Sequence, residues 1–450
     1  MKKLLRNTAL SLGLIMASGM PAYSADSDLK AAIDKDYNSY LKDLFIHFHK
    51  NPELSLVENK TATRLAKELE LAGFEVNEGV GVVVEGNPST GIVAIMKNGE
   101  GPLVMMRADM DGLPVEEKSG LDYSSKAMQI SPITGKEVSV MHACGHDVHI
   151  TSLVGTARYM AAMKDKWSGT LMLIGQPAEE RIKGAKQMMD ADIWGTFGQP
   201  DYALAFHVGS AGPTGMVNVV QGAPYAGADS VDIVIHGVGA HGASPHAGKD
   251  PVVIGSQIVL ALQTLVSREL SPREPGVVTV GSFHSGTKHN IISDRAVLQV
   301  TVRNTNLETR KTLLDGIKRI AENMGRVAGM PEDMLPEVTV VSSTPPTVND
   351  NELVARLKAV WVDKMGKDTV FSEQSKGMGA EDFPYFTTEP KIQSVYWSVG
   401  GTNQRVWAEA QNGGKPIPSH HSSYFKVEPE SVKVGVESTI HALMELMPKK

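Results

Sequence analysis

Short apolar segments alternate with helical segments along most of this chain of 450 residues. Runs such as "GIVAIMK", "TLMLIGQ" and "DYALAFHVG" have the length and character of buried strands, whereas "NKTATRLAKELELAGFEV" repeats its apolar residues at helical spacing. Parallel strands must be joined by a crossover, which is usually a helix. The alternation therefore predicts an α/β fold, with a mainly parallel sheet covered by helices on both faces.

The alternation is interrupted once, between residues 225 and 341. There the elements read strand, helix, strand, strand, helix, strand, from "SVDIVIHG" to "EVTVVSS". This βαββαβ order is typical of a small two-layer α+β domain. Because the chain is too long for one core, we expect a larger domain of residues 25–224 and 342–450, with residues 225–341 inserted into it.

Residues 1–24 have the pattern of a signal peptide. Basic residues precede an apolar run, and Ala22, Tyr23 and Ser24 fit a signal-peptidase site. Cleavage after Ser24 implies a periplasmic or secreted protein; an amphipathic first helix is the alternative. The formal net charge of -7 argues against general nucleic-acid binding, and we expect no segment of membrane-spanning length.

The stretch "HACGHDVH", residues 142–149, contains the only cysteine of the chain. One cysteine cannot form an internal disulfide, so Cys144 is buried and inert, bound to metal, or a nucleophile. A thiolate close to the imidazoles of His146 and His149 suits a metal such as zinc. A crowded polar turn before a helix is the alternative.

Other residue types that bind metal follow predicted strands. Glu179 and Glu180 come directly after "TLMLIGQ", and His207 lies near the end of "DYALAFHVG". The carboxyl ends of parallel strands meet at one edge of a sheet, where one carboxylate could bind metal and its neighbour act as a base. His420 and His421 could complete the metal shell from a distant part of the chain. Solvated acids and structural histidines are the alternatives.

The segment "GVGAHGASPHAG" contains a formal G-x-G-x-x-G pattern after a strand. A dinucleotide site needs a helix immediately afterwards and an acidic residue about 20 positions on. Here Pro245 and Gly248 intervene, and "SQIVLALQ" occupies the position of the acid. We therefore interpret the segment as a mobile loop that presents His241. The chain contains neither a G-x-S-x-G elbow nor a G-x-x-x-x-G-K-[ST] loop.

Together these segments closely resemble the metal-dependent amidohydrolase family of aminoacylases, hippurate hydrolases and plant auxin-conjugate hydrolases, with glutamate carboxypeptidases as more distant members. They occur in family order and cover nearly all of the chain after residue 24. The matching segments are "FHKNPELS", "MRADMDGLPVEE", "MHACGHDVH", "GQPAEE", "FHVG", "GAHGASPHAGKDPV", "HNIISDRAVLQVTVRN", "GAEDFPYF" and "HSSYF". The resemblance implies a catalytic domain with two metal ions, and an inserted domain that acts as a lid and forms a dimer.

The cysteine-containing branch of the family implies roles for the clustered residues. Its metal ligands match Cys144, His146, Glu180, His207 and His421. The general base matches Glu179. Histidine-serine-proline, usual near the end of the family, is "HSS" here, and "HSSYF" aligns without a gap when His421 is taken as the ligand.

The resemblance also implies roles for residues around the metal ligands. Asp109 and Asp111 support the ligands without binding metal themselves. His241 matches a lid histidine that reaches into the active site of a partner subunit. Asn290 and Arg303 match lid positions that hold the carboxylate of the substrate.

The function implied by the resemblance is hydrolysis of the amide bond of N-acyl amino acids by a metal-activated water, with Glu179 as general base. Two divalent ions are implied, Mn²⁺ or Zn²⁺, with Co²⁺ or Ni²⁺ also suited to the ligands. The implied partners are a small N-acyl amino acid or short peptide and a second copy of the chain, without nucleic acid or membrane. A periplasmic dipeptidase or carboxypeptidase, a metal-binding protein without catalysis and a cysteine hydrolase remain alternatives.

Overall fold

The computed structural model describes residues 26–374 and 377–449. The predicted signal peptide, residues 1–24, lies outside the described residues. The helices are α1 (Asp26–Asp36), α2 (Lys42–Lys50), α3 (Asn59–Leu71), α4 (His146–Ala162), α5 (Gly184–Met189), α6 (Ile193–Phe197), α7 (Pro251–Thr264), α8 (Leu307–Val327), α9 (Asn351–Met365), α10 (Gln404–Gln411) and α11 (Ser431–Leu446).

The strands belong to one large sheet, one sheet of the inserted domain and three short pairs. They are β1 (Glu75–Glu78), β2 (Ile92–Asn98), β3 (Leu103–Asp109), β4 (Met128–Ile130), β5 (Glu137–Ser139), β6 (Gly169–Gln176), β7 (Tyr202–Pro213), β8 (Val217–Asn218), β9 (Gly222–Tyr225), β10 (Gly227–His236), β11 (Ala240–His241), β12 (Gly276–Ser285), β13 (Ile291–Ile292), β14 (Arg295–Asn304), β15 (Glu337–Thr344), β16 (Thr347–Asn349), β17 (Val370–Phe371) and β18 (Gln393–Thr402).

The large sheet has the order β1-β2-β6-β3-β7-β18-β8-β17. Its central strands β6, β3, β7 and β18 are parallel to one another. At one edge, β2 pairs antiparallel with β6, and β1 pairs antiparallel with β2. Val104 and Met106 of β3 face the core beneath α4 and α11, whereas Met105 faces the core beneath α5. Apolar side chains are thus buried on both faces of the sheet, as parallel strands require. The prediction of a mainly parallel α/β sheet is confirmed.

Three central strands bring their carboxyl ends to one edge of this sheet. The register of β3 and β6 pairs Asp109 with Gln176, so the acidic turn after β6 begins beside the end of β3. The neighbouring strand β7 carries His207. The chemically active residues predicted from separate motifs therefore start from adjacent strands.

The inserted domain is a four-stranded antiparallel sheet in the order β12-β14-β10-β15, covered on one face by α7 and α8. The element order β10-α7-β12-β14-α8-β15 is the βαββαβ order predicted. The last strand of this sheet ends at Thr344, beyond the predicted boundary at residue 341. The chain enters the insertion after β9 and leaves it before β16, and these two strands pair with each other.

One finding corrects the expectation about membrane-spanning length. By length and composition alone, the helical segment Pro251–Glu269 is long and apolar enough to cross a membrane. It lies instead across the inserted sheet, where Ile254, Ile258 and Leu262 are buried in the domain core. Val253 and Leu260 remain exposed on the same helix. The sequence analysis missed this segment because polar residues interrupt the apolar run. The helix nevertheless has apolar residues both on its buried face and on its exposed face.

Candidate metal centre

The motif at residues 142–149 forms a turn that leads directly into α4. Gly145 precedes the helix with φ +85°, and a Cβ atom there would lie 2.4 Å from Val208 Cγ1. Only glycine fits this left-handed and crowded position. The turn places Cys144 just before the helix and His146 at its first residue, both of them buried.

His207 brings the second strand into contact with this turn. Its Nε2 atom lies 3.3 Å from Cys144 Sγ, and its Nδ1 donates a hydrogen bond to the Val208 carbonyl at 2.8 Å. That bond places the ring proton on Nδ1. Nε2 is therefore unprotonated, and its lone pair is directed toward the Cys144 sulfur. Burial lowers the pKa of His207 well below its usual value, so the ring is neutral and able to bind metal.

Glu179 and Glu180 occupy a strained turn after β6. Ala178 and Ile182, on either side of it, have φ values of +48° and +53°. Each such conformation costs a non-glycine residue about 1–2 kcal/mol. Gly184 closes the turn, because a Cβ there would lie 1.5 Å from the Pro177 carbonyl oxygen. Strain of this kind persists only where surrounding contacts hold it in place.

The turn directs Glu180 toward two histidines from other parts of the chain. Its Oε1 lies 3.9 Å from His146 Nε2, and its Oε2 lies 3.3 Å from His421 Nε2. The His421 backbone donates a hydrogen bond to the Ala143 carbonyl, which fixes it beside the motif. His420 instead donates its Nε2 proton to the Val208 carbonyl at 3.0 Å. The structure thus places His421, rather than His420, at Glu180.

The donor atoms of these residues are arranged as a metal site requires. Three groups each have their atoms within 4.8 Å of one another: Cys144 with His146 and His207; Cys144 with Glu180 and His421; and His146 with Glu179 and Glu180. His146 Nε2 and Glu180 Oε1 are buried without any hydrogen-bond partner. Buried polar atoms in that state are costly, and a cation bound between them satisfies both. The mixture of sulfur, nitrogen and oxygen donors suits borderline divalent metals.

The pKa of Cys144 bears on the nucleophile hypothesis. Burial raises the pKa of the Cys144 thiol well above its usual value, and the charges of Glu180 and Glu179 raise it further. A catalytic cysteine needs the opposite, a pKa lowered by nearby positive charge. Without a metal cation the thiol would stay protonated, which favours a ligand role and argues against a cysteine hydrolase.

Two aspartates support the cluster from behind. Asp111 accepts a hydrogen bond from His146 Nδ1 at 3.2 Å and another from the Glu180 backbone at 3.0 Å. It therefore fixes the tautomer of His146 that leaves Nε2 free. Asp109 accepts a hydrogen bond from His149 Nδ1 at 2.5 Å, and the other nitrogen of His149 accepts the Val208 N–H. With both nitrogens in use, His149 organises the site and offers no free ligand atom.

A buried charge network that the sequence analysis missed lies behind Glu179. Arg107 contacts Asp109 at 2.6 Å, Glu381 at 3.2 Å and Asp382 at 3.5 Å. Carboxylate oxygens of Glu179, Glu381 and Asp382 lie within 4.8 Å of one another. Burial raises the pKa of Glu179 well above its usual value, and the charges of Glu180, Glu381 and Asp382 add to the shift. The family segment "GAEDFPYF" contained this signal, but nothing in its spacing showed that it would meet Glu179 and Arg107.

The three predicted lid residues lie apart from the cluster. His241 is exposed on β11, and its Nδ1 accepts a hydrogen bond from the Ala243 backbone. Asn290 lies beside it, joined through the Gly242 N–H, and its Oδ1 is buried without a partner. Arg303 is half-buried on β14. Across residues 26–374 and 377–449, no hydrogen bond or ion pair joins these three residues to the metal-ligand cluster.

The chain is similar to a group of known hydrolases. Residues 105–444 match the family model described as Peptidase family M20/M25/M40. The chain is 34% identical to thermostable carboxypeptidase 2 of Saccharolobus solfataricus, over 92% of this chain and 96% of that one. It is 35% identical to the hippurate hydrolase of Campylobacter jejuni, over 77% of this chain and 85% of that one.

A solved structure is similar over nearly the whole chain. It is the YXEP protein of Bacillus subtilis, described as a dinuclear metal-binding peptidase of the M20 family. The alignment has a TM-score of 0.72 with 26% identity, and it covers 91% of this chain and 98% of that one. The fold and the metal-binding class of that protein agree with the donor arrangement described above.

The two adjacent histidines differ in a way that can be measured. His421→Ala should weaken metal binding by more than the roughly 10–100-fold typical of a lost supporting partner, because it removes a donor atom. His420→Ala is the matched control. It should weaken metal binding by no more than that roughly 10–100-fold range. The measurement is metal bound per chain at equilibrium against a competing chelator. Equal losses in the two variants would contradict the assignment.

A second prediction concerns His49, a residue outside the ligand cluster. Burial alone lowers the pKa of His49, but hydrogen bonds to Asp147 at 2.6 Å and Glu117 at 3.2 Å raise it to about 9. A raised pKa gives stability that is complete below the unfolded value of about 6.5 and is lost as the pH rises through about 9. The contribution is up to about 3 kcal/mol.

We therefore expect the free energy of unfolding of the wild type, relative to His49→Gln, to fall between pH 6.5 and pH 9. Denaturant unfolding of both proteins at several pH values measures this difference. A difference that is constant across the range would show that His49 is neutral in the folded state.

Proposed function

The chain belongs to the peptidase family M20/M25/M40, and from that membership we propose that it hydrolyses the amide bond of N-acyl amino acids at a binuclear metal centre. One observation carries the proposal. Five donor residues of three chemical types converge at the carboxyl edge of a parallel sheet, with the unassigned carboxylate of Glu179 directly beside them. A site that only stored metal would have no need of that extra buried carboxylate.

The ligands proposed for the two ions are Cys144, His146, Glu180, His207 and His421. We propose Mn²⁺ or Zn²⁺, with Co²⁺ or Ni²⁺ as alternatives, because all four accept sulfur, nitrogen and oxygen donors. When bound, such ions lower the pKa of a water molecule toward neutrality and polarise the amide carbonyl. They also supply the positive charge that the Cys144 thiolate needs.

Glu179 performs the proton transfers in this proposal. Its Oε2 lies 4.0 Å from the ligand atom His146 Nε2, so it borders the space between the donor atoms. Burial and the neighbouring carboxylates raise the pKa of Glu179. The positive charge of bound cations would favour its ionised form, which can accept a proton. It takes a proton from the attacking water and gives it to the leaving nitrogen.

The inserted domain binds the substrate and a second copy of the chain. We propose that Asn290 and Arg303 hold the substrate carboxylate and that His241 acts in the site of the partner. The exposure of His241, without a contact to its own cluster, supports a role in another subunit. An apolar surface on the inserted domain supports dimerisation: Val252, Val253, Leu260 and Phe283 are exposed, Leu260 by 72%.

A carboxypeptidase or dipeptidase activity is the second candidate. The similarity to a carboxypeptidase over 92% of the chain favours it, and both activities use the same amide chemistry beside a free carboxylate. Hippurate, N-benzoylglycine, belongs to the first class and a dipeptide to the second. We also propose that residues 1–24 direct export to the periplasm or beyond the cell.

The direct test is a substrate panel. N-acetyl, N-benzoyl and peptidyl amino acids are each assayed with Mn²⁺, Zn²⁺, Co²⁺ and Ni²⁺. The proposal expects hydrolysis of N-acyl amino acids that a chelator abolishes and added metal restores. Faster cleavage of peptides would favour the second candidate, and the absence of chelator-sensitive hydrolysis of any member would reject both.

Glu179→Gln separates catalysis from metal binding. We expect kcat to fall by about 10²–10⁴-fold, the usual contribution of a proton-transferring group. Bound metal should remain at the wild-type level because Glu179 is not a ligand in this proposal. Glu180→Gln is the control, which should lose metal as well as activity. A Glu179→Gln variant that keeps most of its activity would contradict the role of this residue.

Leu260→Glu tests the dimer. A charge at the centre of the exposed apolar face of α7 should prevent its burial against a second copy, so the variant should be monomeric by light scattering. Leu71→Glu is the matched control, since Leu71 is 70% exposed on the catalytic domain and outside this face. If the wild type is itself monomeric, or if Leu260→Glu remains a dimer, this interface is wrong.

A further inference from the structure

The turn that carries Glu179 is under strain and has to be held from outside. Ala178, the residue before Glu179, has φ +48° although it is not glycine. Its carbonyl accepts hydrogen bonds from Arg181, Lys183 and Gly184 within the turn. These bonds close the turn, but they do not fix it to the rest of the domain. The N–H of Ala178 points the other way and needs a buried acceptor.

That acceptor is the carboxylate of Glu58, which is completely buried. Glu58 Oε1 accepts the Ala178 N–H at 2.8 Å and the Leu56 N–H at 2.9 Å. Leu56 is also a non-glycine residue in the left-handed region, with φ +74°. Glu58 Oε2 accepts the hydroxyl of Thr90 at 2.8 Å, which fixes the plane of the carboxylate. One oxygen atom therefore binds two strained backbone positions from separate loops.

An ordinary structural explanation would make Glu58 the cap of α3, since it stands immediately before that helix. Its side chain makes no capping hydrogen bond to the helix. The capping role belongs to Glu53, whose Oε2 accepts the Thr61 N–H at 2.7 Å and the Thr61 hydroxyl at 2.9 Å. The carboxylate of Glu58 instead accepts a hydrogen bond from the turn that carries Glu179. Helix capping therefore does not explain why this acid is buried.

Asp111 holds the same turn from its other end. It accepts the Glu180 N–H at 3.0 Å and also contacts His146, so it aligns the turn with the metal ligands. Glu58 fixes the residue before Glu179 and Asp111 fixes the residue after it. The direction of the Glu179 side chain is determined by the backbone between these two points.

We propose that Glu58 is a positioning residue for Glu179: its carboxylate anchors Ala178 in the left-handed conformation that aims the Glu179 carboxylate at the reacting water. The proposal rests on the proposed function of Glu179 and adds a residue that does not touch the substrate. Loss of Glu58 leaves the Ala178 N–H buried without a partner, so the turn relaxes. A displacement of a catalytic group by about 1 Å can cost about 10²-fold in rate.

The test compares Glu58→Ala, Glu58→Gln and Glu53→Ala. We expect Glu58→Ala to lower kcat by about 10²-fold with KM and bound metal unchanged. Glu58→Gln should recover most of that loss, because its amide oxygen still accepts both N–H groups and its amide nitrogen can donate to Thr90. Glu53→Ala, which removes another buried carboxylate beside the same helix, should lower thermal stability without changing the kcat of the folded protein.

A wild-type kcat in metal-loaded Glu58→Ala overturns the proposal. So does a loss of kcat that only follows a loss of metal, since Glu58 would then act on Glu180. Failure of Glu58→Gln to recover activity overturns the acceptor role. A crystal structure of Glu58→Ala gives a readout that does not depend on activity. In it, Ala178 should leave the left-handed region. An unchanged φ at Ala178 overturns the proposal, whatever result the substrate panel has given.

Discussion

Repulsion between buried carboxylates determines which positively charged groups the centre of this molecule must contain. Six acidic side chains lie close together near the carboxyl ends of the central strands of the large sheet: Asp109, Asp111, Glu179, Glu180, Glu381 and Asp382. Arg107 neutralises those on one side, through contacts with Asp109, Glu381 and Asp382. The other side, around Glu180, is bordered by His146 and His421, whose pKa values are raised by nearby carboxylates, and by the Cys144 thiol, whose pKa is raised by burial. Bound divalent cations would complete the charge balance there and would supply the chemistry proposed for the site.

The fold makes this concentration of charge possible by holding the backbone rigidly. Glu180 follows β6, His207 lies on β7, Cys144 and His146 stand at the start of α4, and His421 lies in a turn held to Ala143. The remaining geometry comes from strained turns at Gly145, Ala178, Ile182 and His421, whose φ values are all positive. Such conformations persist where buried hydrogen bonds oppose their relaxation. Glu58 and Asp111 provide those bonds on either side of Glu179.

The sequence predicted the fold because two periodicities, one of strands and one of helices, are legible without tertiary information. It placed Glu179 and Glu180 after a strand for the same reason, whereas His207, predicted near the end of its strand, lies within β7, which continues to Pro213. The ungapped segment "HSSYF" favoured His421 over His420 as the ligand, and the structure places His421 at Glu180. The sequence did not reveal that His149 has both nitrogens occupied, or that His420 donates to a backbone carbonyl, because those contacts depend on which backbone groups lie nearby after folding.

The roles proposed for His241, Asn290 and Arg303 involve groups outside their own segment of the chain. Their proposed function depends on a second copy and on the position of the inserted domain relative to the metal centre. The network of Arg107 with Glu381 was hidden for a different reason, because Arg107 lies on β3 whereas Glu381 lies in a loop more than half the chain away, and the two meet only after folding.

The central claim is that Cys144 binds metal as a thiolate beside histidine and carboxylate ligands in a site for two ions. X-ray absorption of the zinc-loaded protein measures this most directly. The account predicts two zinc ions per chain and a zinc–sulfur distance of about 2.3 Å that is lost in Cys144→Ser. A spectrum of nitrogen and oxygen ligands alone, unchanged by that substitution, would contradict it.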